Sequence, residues 1–209
     1  MNVKTIGILG AGKVGIVLAQ LALKAGYSVY IAGSGSAEKI ALTVKVLAPG
    51  AVAATASEVA VKSDVIILAL PLGKFKTIPK NELAGKLVID AMNYWWEVDG
   101  PRGDILPDTQ SSSEAVQAFL QDSRVVKALG HMGYHELHDG PLPAGVEDRK
   151  AIAIAGNTTD DVQSVSTIID TFGFDPLVIG NLPAGVVLEP SQPGFGANLA
   201  KQDLAKLLK

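Results

Sequence analysis

The chain has no cysteine among its 209 residues, which excludes disulfides, thiolate-held metals and thiol redox chemistry. Any redox reaction run by this protein must pass through bound carriers. Aromatic residues are scarce, at 5%. No apolar run approaches the roughly 20 residues that cross a bilayer. Neither sign of charge dominates: the formal net charge is −3, and the lysine-rich stretch Lys74–Lys80 is too short to suggest a nucleic-acid surface. The sequence also lacks a P-loop lysine, a nucleophile elbow and an obvious carboxylate pair, so hydrolysis has no visible machinery. The opening Met1-Asn2-Val3-Lys4 reads as the approach to a strand rather than a signal-peptide core. A reducing, cytoplasmic setting is the expectation.

What is present is abundant apolar surface, 48% of residues, enough for a sizeable core in one domain over residues 1–209. Its most informative segment is the strand Thr5–Leu9 running into Gly10-Ala11-Gly12-Lys13-Val14-Gly15 and then an apolar helix over Ile16–Ala25. G-x-G-x-x-G between a buried strand and a helix is the dinucleotide-binding fingerprint. Gly10 permits the tight turn, Gly12 lets the main chain approach a pyrophosphate, and Gly15 allows close helix–strand packing. The helix N-terminus offers unpaired N–H groups to the phosphates.

The second strand, Ser28–Ala32, selects the form of the dinucleotide. An NAD site usually places an acid near its end to hold the ribose 2′-hydroxyl. This chain instead has Gly33-Ser34-Gly35-Ser36-Ala37-Glu38-Lys39. The hydroxyls of Ser34 and Ser36, the backbone at Gly35 and the Lys39 ammonium suit a 2′-phosphate, and helix capping by the serines is compatible with that role. NADP(H) is the expected cofactor.

Strand and helix signals then alternate: a helix over Ala37–Leu47, strands at Ala51–Thr55, Asp64–Leu70 and Lys86–Ala91, and a short helix at Ser57–Lys62. Apolar strands without alternation indicate burial on both faces. The fold class is α/β, a Rossmann-type doubly wound, mostly parallel sheet with its ligand crevice at the strands' carboxyl ends. Leu70-Pro71-Leu72 leaves one strand end and Asn93 follows another, so these residues are candidates for the nicotinamide side. Asn93 carries the donor and acceptor that a carboxamide needs; an ordinary strand terminator is the competing reading.

Residues 94–209 carry the acceptor-pocket loops and a small C-terminal extension. Periodicity vanishes over Tyr94–Pro107, where both tryptophans, Trp95 and Trp96, follow Tyr94. Flat apolar walls suit a planar electron carrier; packing of a long loop or an oligomer interface explains them equally well. Ser111 and Glu114 form a capping box for a helix through Gln121, and strands follow at Arg124–Leu129, Lys150–Ala155 and Pro176–Ile179, with a helix over Asp160–Phe172. A Lys- and Leu-rich helix closes the chain. His131, His135 and His138 invite a metal reading, but Gly130, Gly133 and Gly140 argue against a regular helix and no second ligand cluster exists. A crevice-lining loop is expected there, with His131 and Tyr134 near the acceptor, and no metal.

Taken together, the segments Gly7–Gly15, Gly33–Lys39, Leu68–Pro71, Val88–Asn93, Ser111–Glu114, Arg124–Ala128 and Leu177–Leu182 resemble coenzyme F420-dependent NADP oxidoreductases, with the cofactor half the more specific. The resemblance implies hydride passage between NADP(H) and a deazaflavin or flavin such as F420 or FMN, usually in a homodimer. It also implies a serine–arginine–lysine grip on the 2′-phosphate. Ser34 and Lys39 fit that pattern, whereas Gly35 stands where arginine is expected, which weakens NADPH preference. An NADP(H)-binding sensor without turnover and an NADPH-dependent flavin or ferric reductase are the alternatives. A dehydrogenase of the β-hydroxyacid type ranks lower, because too few residues remain for the long helical domain of those enzymes.

Overall fold

A computed structural model describes residues 3–107 and 110–209. Met1 and Asn2, in the segment read as leading into the first strand, lie outside the described residues, as do Asp108 and Thr109. The strands are β1 (Thr5–Leu9), β2 (Ser28–Ala32), β3 (Val52–Ala53), β4 (Val65–Leu68), β5 (Leu87–Asp90), β6 (Arg124–Lys127), β7 (Ala151–Gly156) and β8 (Asp175–Gly180). They form one sheet in the order β3-β2-β1-β4-β5-β6-β7-β8. Every pairing is parallel except β6 with β7. The helices are α1 (Lys13–Lys24), α2 (Glu38–Leu47), α3 (Ala56–Lys62), α4 (Trp96–Asp99), α5 (Ser112–Phe119), α6 (Tyr134–Asp139), α7 (Thr159–Thr171) and α8 (Lys201–Leu207), with 3-10 turns that include Leu72–Thr77 and Leu182–Leu188.

The central strands show why their sequences do not alternate. In β4, Val65 and Ile67 join a core cluster on one face of the sheet, while Ile66 and Leu68 join a cluster on the other. Both faces are covered, so every position is apolar. The order in which strands are added reverses at β1, with β2 and β3 laid down on one side of it and β4, β5 and β6 on the other. That is the topological switch point at which such folds hold ligands.

The expected elements are present with four adjustments. α1 starts at Lys13 rather than Ile16, directly after Gly12, which has extended backbone. β3 shrinks to two residues. Thr55 and Glu58 build a capping box at the start of α3, a pattern legible in Thr55-Ala56-Ser57-Glu58 but not anticipated. The histidine segment expected as a loop is instead the helix α6. Its glycines bracket the helix rather than interrupt it: Gly133 is the N-cap and Gly140 the C-cap. Among the described residues no group of histidines and acids is placed to hold a metal, and no helix is long and apolar enough to cross a membrane.

One polar network is buried inside this apolar frame. Asp90, last in β5, lies beside Lys127, last in β6, and both are almost fully buried. Asp90 Oδ1 accepts from the Met92 N–H at 2.9 Å, and Oδ2 accepts from the Ser113 hydroxyl at 2.6 Å. Lys127 Nζ donates to the Met92 carbonyl at 2.6 Å and sits 3.7 Å from Asp90 Oδ2. The network ties the exits of β5 and β6 to the start of α5. Lys127→Ala should cost about 3–5 kcal/mol by stranding the Asp90 charge, and Asp90→Asn in the same chain should recover part of that loss. Urea unfolding of the single and double variants measures both; a K127A variant as stable as the parent would contradict the network's role.

Candidate functional site

Each glycine of the fingerprint has a separate geometric reason. Gly10 has φ +122°, and a Cβ there would collide with the Ala69 carbonyl at the end of β4. A Cβ on Gly15 would strike the Gly10 carbonyl. Gly12 differs from both, because a Cβ there would meet nothing within 4 Å. Its side faces open space, as an approaching pyrophosphate requires. α1 begins at this point with no side-chain cap and no acid in its first turn, so the N–H groups of Lys13 and Val14 and the positive end of the helix dipole remain available to an anion.

A cleft of about 640 Å³ opens beside this turn, between the ends of β2 and β4. Its walls include Gly10, Ala11 and Gly12 from the turn, Ser34 and Gly35 after β2, and Leu70 and Pro71 after β4. Seven of the residues singled out from sequence are thus brought together. Ile40, Lys74, Thr77 and Ile78 complete the cleft and had not been anticipated. Lys74 had been visible only as part of a lysine-rich stretch, and nothing local shows that it turns toward the fingerprint. Leu72 is a correction: it is fully buried in the core and has no surface to offer a ligand.

Of the 2′-phosphate candidates, Ser34 and Gly35 line the cleft, whereas Ser36 and Lys39 are not among its walls. Ser34, Ser36 and Lys39 are exposed. The Lys39 ammonium folds back over Gly35, 3.2 Å from where a Cβ would stand. The Ser36 hydroxyl, with the backbone N–H of Glu38, holds the Glu38 carboxyl below the usual carboxylate range. That hydroxyl is therefore already engaged by an acid of the same loop–helix junction.

At the other end of the crevice, Asn93 Nδ2 donates to the Gly130 carbonyl at 2.6 Å, which fixes the amide's orientation. Its Oδ1 is buried without a protein hydrogen-bond partner, an unmet acceptor in a group that ordinarily finds one. The neighbouring turn after β6 is tight: Leu129, fully buried, has φ 68°, in the left-handed region that side chains avoid.

The four acceptor-pocket candidates have different surroundings. Tyr94 donates its hydroxyl to the Gly100 carbonyl at 2.7 Å, closing its own loop. Trp95 is half-exposed and meets Phe195 edge-on at 5.5 Å between ring centroids; Phe195 had not been foreseen. Tyr134 lies under Lys13, whose Nζ is 3.3 Å from the phenol oxygen, and lines a second cleft of about 500 Å³ between α1, α2 and α6. His131 is not at the surface: it is 1% exposed, and Nε2 accepts from the Ala153 N–H of β7 at 3.0 Å. The expectation that its imidazole lines the crevice is corrected. β6 has already ended there, and the ring occupies the gap left beside β7. Nδ1 faces the Ala197 main chain without a sound hydrogen bond.

Residues 5–94 match the model of the family described as NADP oxidoreductase, coenzyme F420-dependent. The matched segment contains the fingerprint turn and the first five strands. Among solved structures, the fold is similar to that of a hypothetical protein from Sinorhizobium meliloti, with 25% identity over 95% of this chain and 96% of that one and a TM-score of 0.80. It is also similar to a candidate F420-dependent NADP-reductase from Arthrobacter sp. FB24, at 22% identity, 87% and 86% coverage and a TM-score of 0.72. An imine reductase from Pseudomonas sp. matches 99% of this chain but only 60% of its own length, at 19% identity and a TM-score of 0.63. The last two likenesses are of fold. No curated protein matches the sequence.

Two outcomes are expected from this geometry. Gly12→Val should fold with a melting temperature near the parent's yet fail to bind either nicotinamide dinucleotide in calorimetry, whereas Gly15→Val should lower the melting temperature markedly. Equal effects on stability would contradict the distinct roles assigned to these glycines. The second outcome concerns His131, whose burial pushes its pKa down to about 4. The folded state keeps the ring neutral while the unfolded chain takes up a proton near pH 6.5. This contribution is therefore full above about pH 6.5 and lost as the pH falls through about 4, worth roughly 3 kcal/mol in all. His131→Gln should flatten the acid limb of stability against pH, read by chemical denaturation at several pH values.

Proposed function

We propose that the chain is an NADP(H)-dependent oxidoreductase whose second substrate is a planar deazaflavin or flavin-type electron acceptor. The observation that carries the cofactor half is the electrostatic character of the first cleft. Among the described residues that line it, Lys74 is the one ionisable side chain and no carboxylate is present. Such a wall favours a 2′-phosphate over a ribose diol, which an acid would recognise.

In this reading Gly10, Ala11, Gly12, Lys13 and Val14 carry the pyrophosphate on the α1 N-terminus. Ser34, Gly35, Ser36 and Lys39 meet the 2′-phosphate, and Leu70 and Pro71 form the wall toward the ribose. Asn93 Oδ1 accepts from the carboxamide and so selects which face of the ring is presented. The nicotinamide, when bound, supplies or takes the hydride; the protein's own part is to position it and to exclude water. Tyr94, Trp95 and Tyr134 are the candidates to flank the acceptor, and the match of residues 5–94 to the model of an F420-dependent family supports an acceptor of that type. His131 keeps a supporting place, holding the turn after Gly130 against β7.

The test is anaerobic oxidation of NADPH by the purified protein with F420, FMN, riboflavin, FAD or a ferric chelate, with NADH run alongside. Turnover with F420 or a flavin bears the proposal out. Turnover with iron alone reassigns the acceptor, and tight NADPH binding without turnover makes the protein a sensor. Lys39→Ala should weaken NADPH much more than NADH; equal losses would remove Lys39 from the 2′-phosphate.

A further inference from the structure

The loop after β2 holds a cation poorly. Gly35 has φ +98°, a backbone conformation that side chains rarely adopt, so position 35 is built for glycine. The space its side chain would enter is already taken by the Lys39 ammonium. Lys39 is exposed. One exposed lysine is a weak receptor for a dianion.

The opposite wall supplies what this loop lacks. The 3-10 turn Leu72–Thr77 follows β4, and Lys74 lies within it. The three lysines of this stretch are not equivalent. Lys76 lies over the ring of Phe75 at 5.6 Å, and Lys80 lies over the ring of Phe119 at 5.4 Å. Lys74 alone of the three lines the cleft that Ser34 and Gly35 line from the other side. Among the described residues it forms no salt bridge. Its backbone is fixed by its own N–H donating to the Pro71 carbonyl at 2.9 Å and by its carbonyl accepting from the Thr77 hydroxyl at 2.7 Å. The stem therefore starts from a rigid turn.

We infer that Lys74 is the second cation of the 2′-phosphate site, reaching across the cleft to do from β4 what glycine at position 35 prevents on the β2 side. It is a specificity-determining residue for NADP(H) over NAD(H). This rests on the cofactor reading proposed above and adds a residue from a different element to it.

The experiment is titration calorimetry with NADPH, NADH, 2′,5′-ADP and 5′-AMP on the full chain and on the Lys74→Ala, Lys74→Arg, Lys74→Glu and Lys39→Ala variants. Losing a charge-assisted contact to phosphate corresponds to about tenfold in affinity. Lys74→Ala should therefore weaken NADPH and 2′,5′-ADP by about tenfold and leave NADH and 5′-AMP within about twofold. Lys74→Arg should retain the preference, and Lys74→Glu should reverse it. Equal weakening of NADPH and NADH would move Lys74 to the pyrophosphate and overturn the inference. If Lys39→Ala lost selectivity for the 2′-phosphate while Lys74→Ala did not, this inference would fail and the cofactor reading would stand. A parent protein that does not prefer NADPH would sink the reading itself. Lys74 is exposed, so thermal melts of the variants should match the parent.

Discussion

The fold turns on a charge pair placed where water cannot reach it. Asp90 and Lys127 end two adjacent parallel strands and are buried together. An ion pair in such a position adds little net stability by itself, because desolvation offsets the attraction. What it supplies is definition. Each Asp90 oxygen has one protein hydrogen-bond donor, and the ammonium reaches a main-chain carbonyl beyond the strand. The chain leaving β5 must therefore pass through one path at Met92, and Asn93 comes next. The same lysine carries the weight of the C-terminal segment, since its aliphatic stem packs against Gly185, where a Cβ would stand 3.1 Å from Lys127 Cγ. Site geometry and C-terminal packing thus share one support.

Much of this architecture was legible because its signals are local. The fingerprint needs glycine at three positions for three separate reasons, and each reason acts within a few residues or against one neighbouring strand. The uniform apolar strands announce two covered faces. The Ser111–Glu114 box announces a helix start. Where reading failed, the deciding contact lay far along the chain. Leu72 and Pro71 are neighbours in sequence, yet one faces the core and the other the cleft, a split set by the 3-10 turn. His131 follows its strand as a ligand-facing residue would, but its partner is Ala153, 22 residues on. The glycines around the histidines suggested an interrupted helix; they are its two ends. Lys74 and Phe195 approach the site from segments with no motif of their own.

The cleft beside the fingerprint and the aromatic loop after β5 are also built differently. The first is a preformed concavity with rigid backbone on most of its perimeter and one ionisable side chain in its wall. The second is assembled from a loop held by Asp99, which accepts from the N–H groups of both Gly73 and Trp95, and from the tail segment carrying Phe195. Only a few hydrogen bonds hold those aromatics, with Trp95 and Trp96 substantially exposed.

The single antiparallel junction, between β6 and β7, has a directional consequence. Across it the chain's polarity inverts, so β7 and β8 present their amino ends, not their carboxyl ends, at the edge where the dinucleotide fingerprint lies. The strand-to-helix turn into α7 points to the far side of the molecule. The last βαβ unit is therefore a scaffold by orientation. Lengthening the turn at Asn157-Thr158 would remodel a remote surface, while changes at the entrance to β7 would fall on the same edge as the fingerprint.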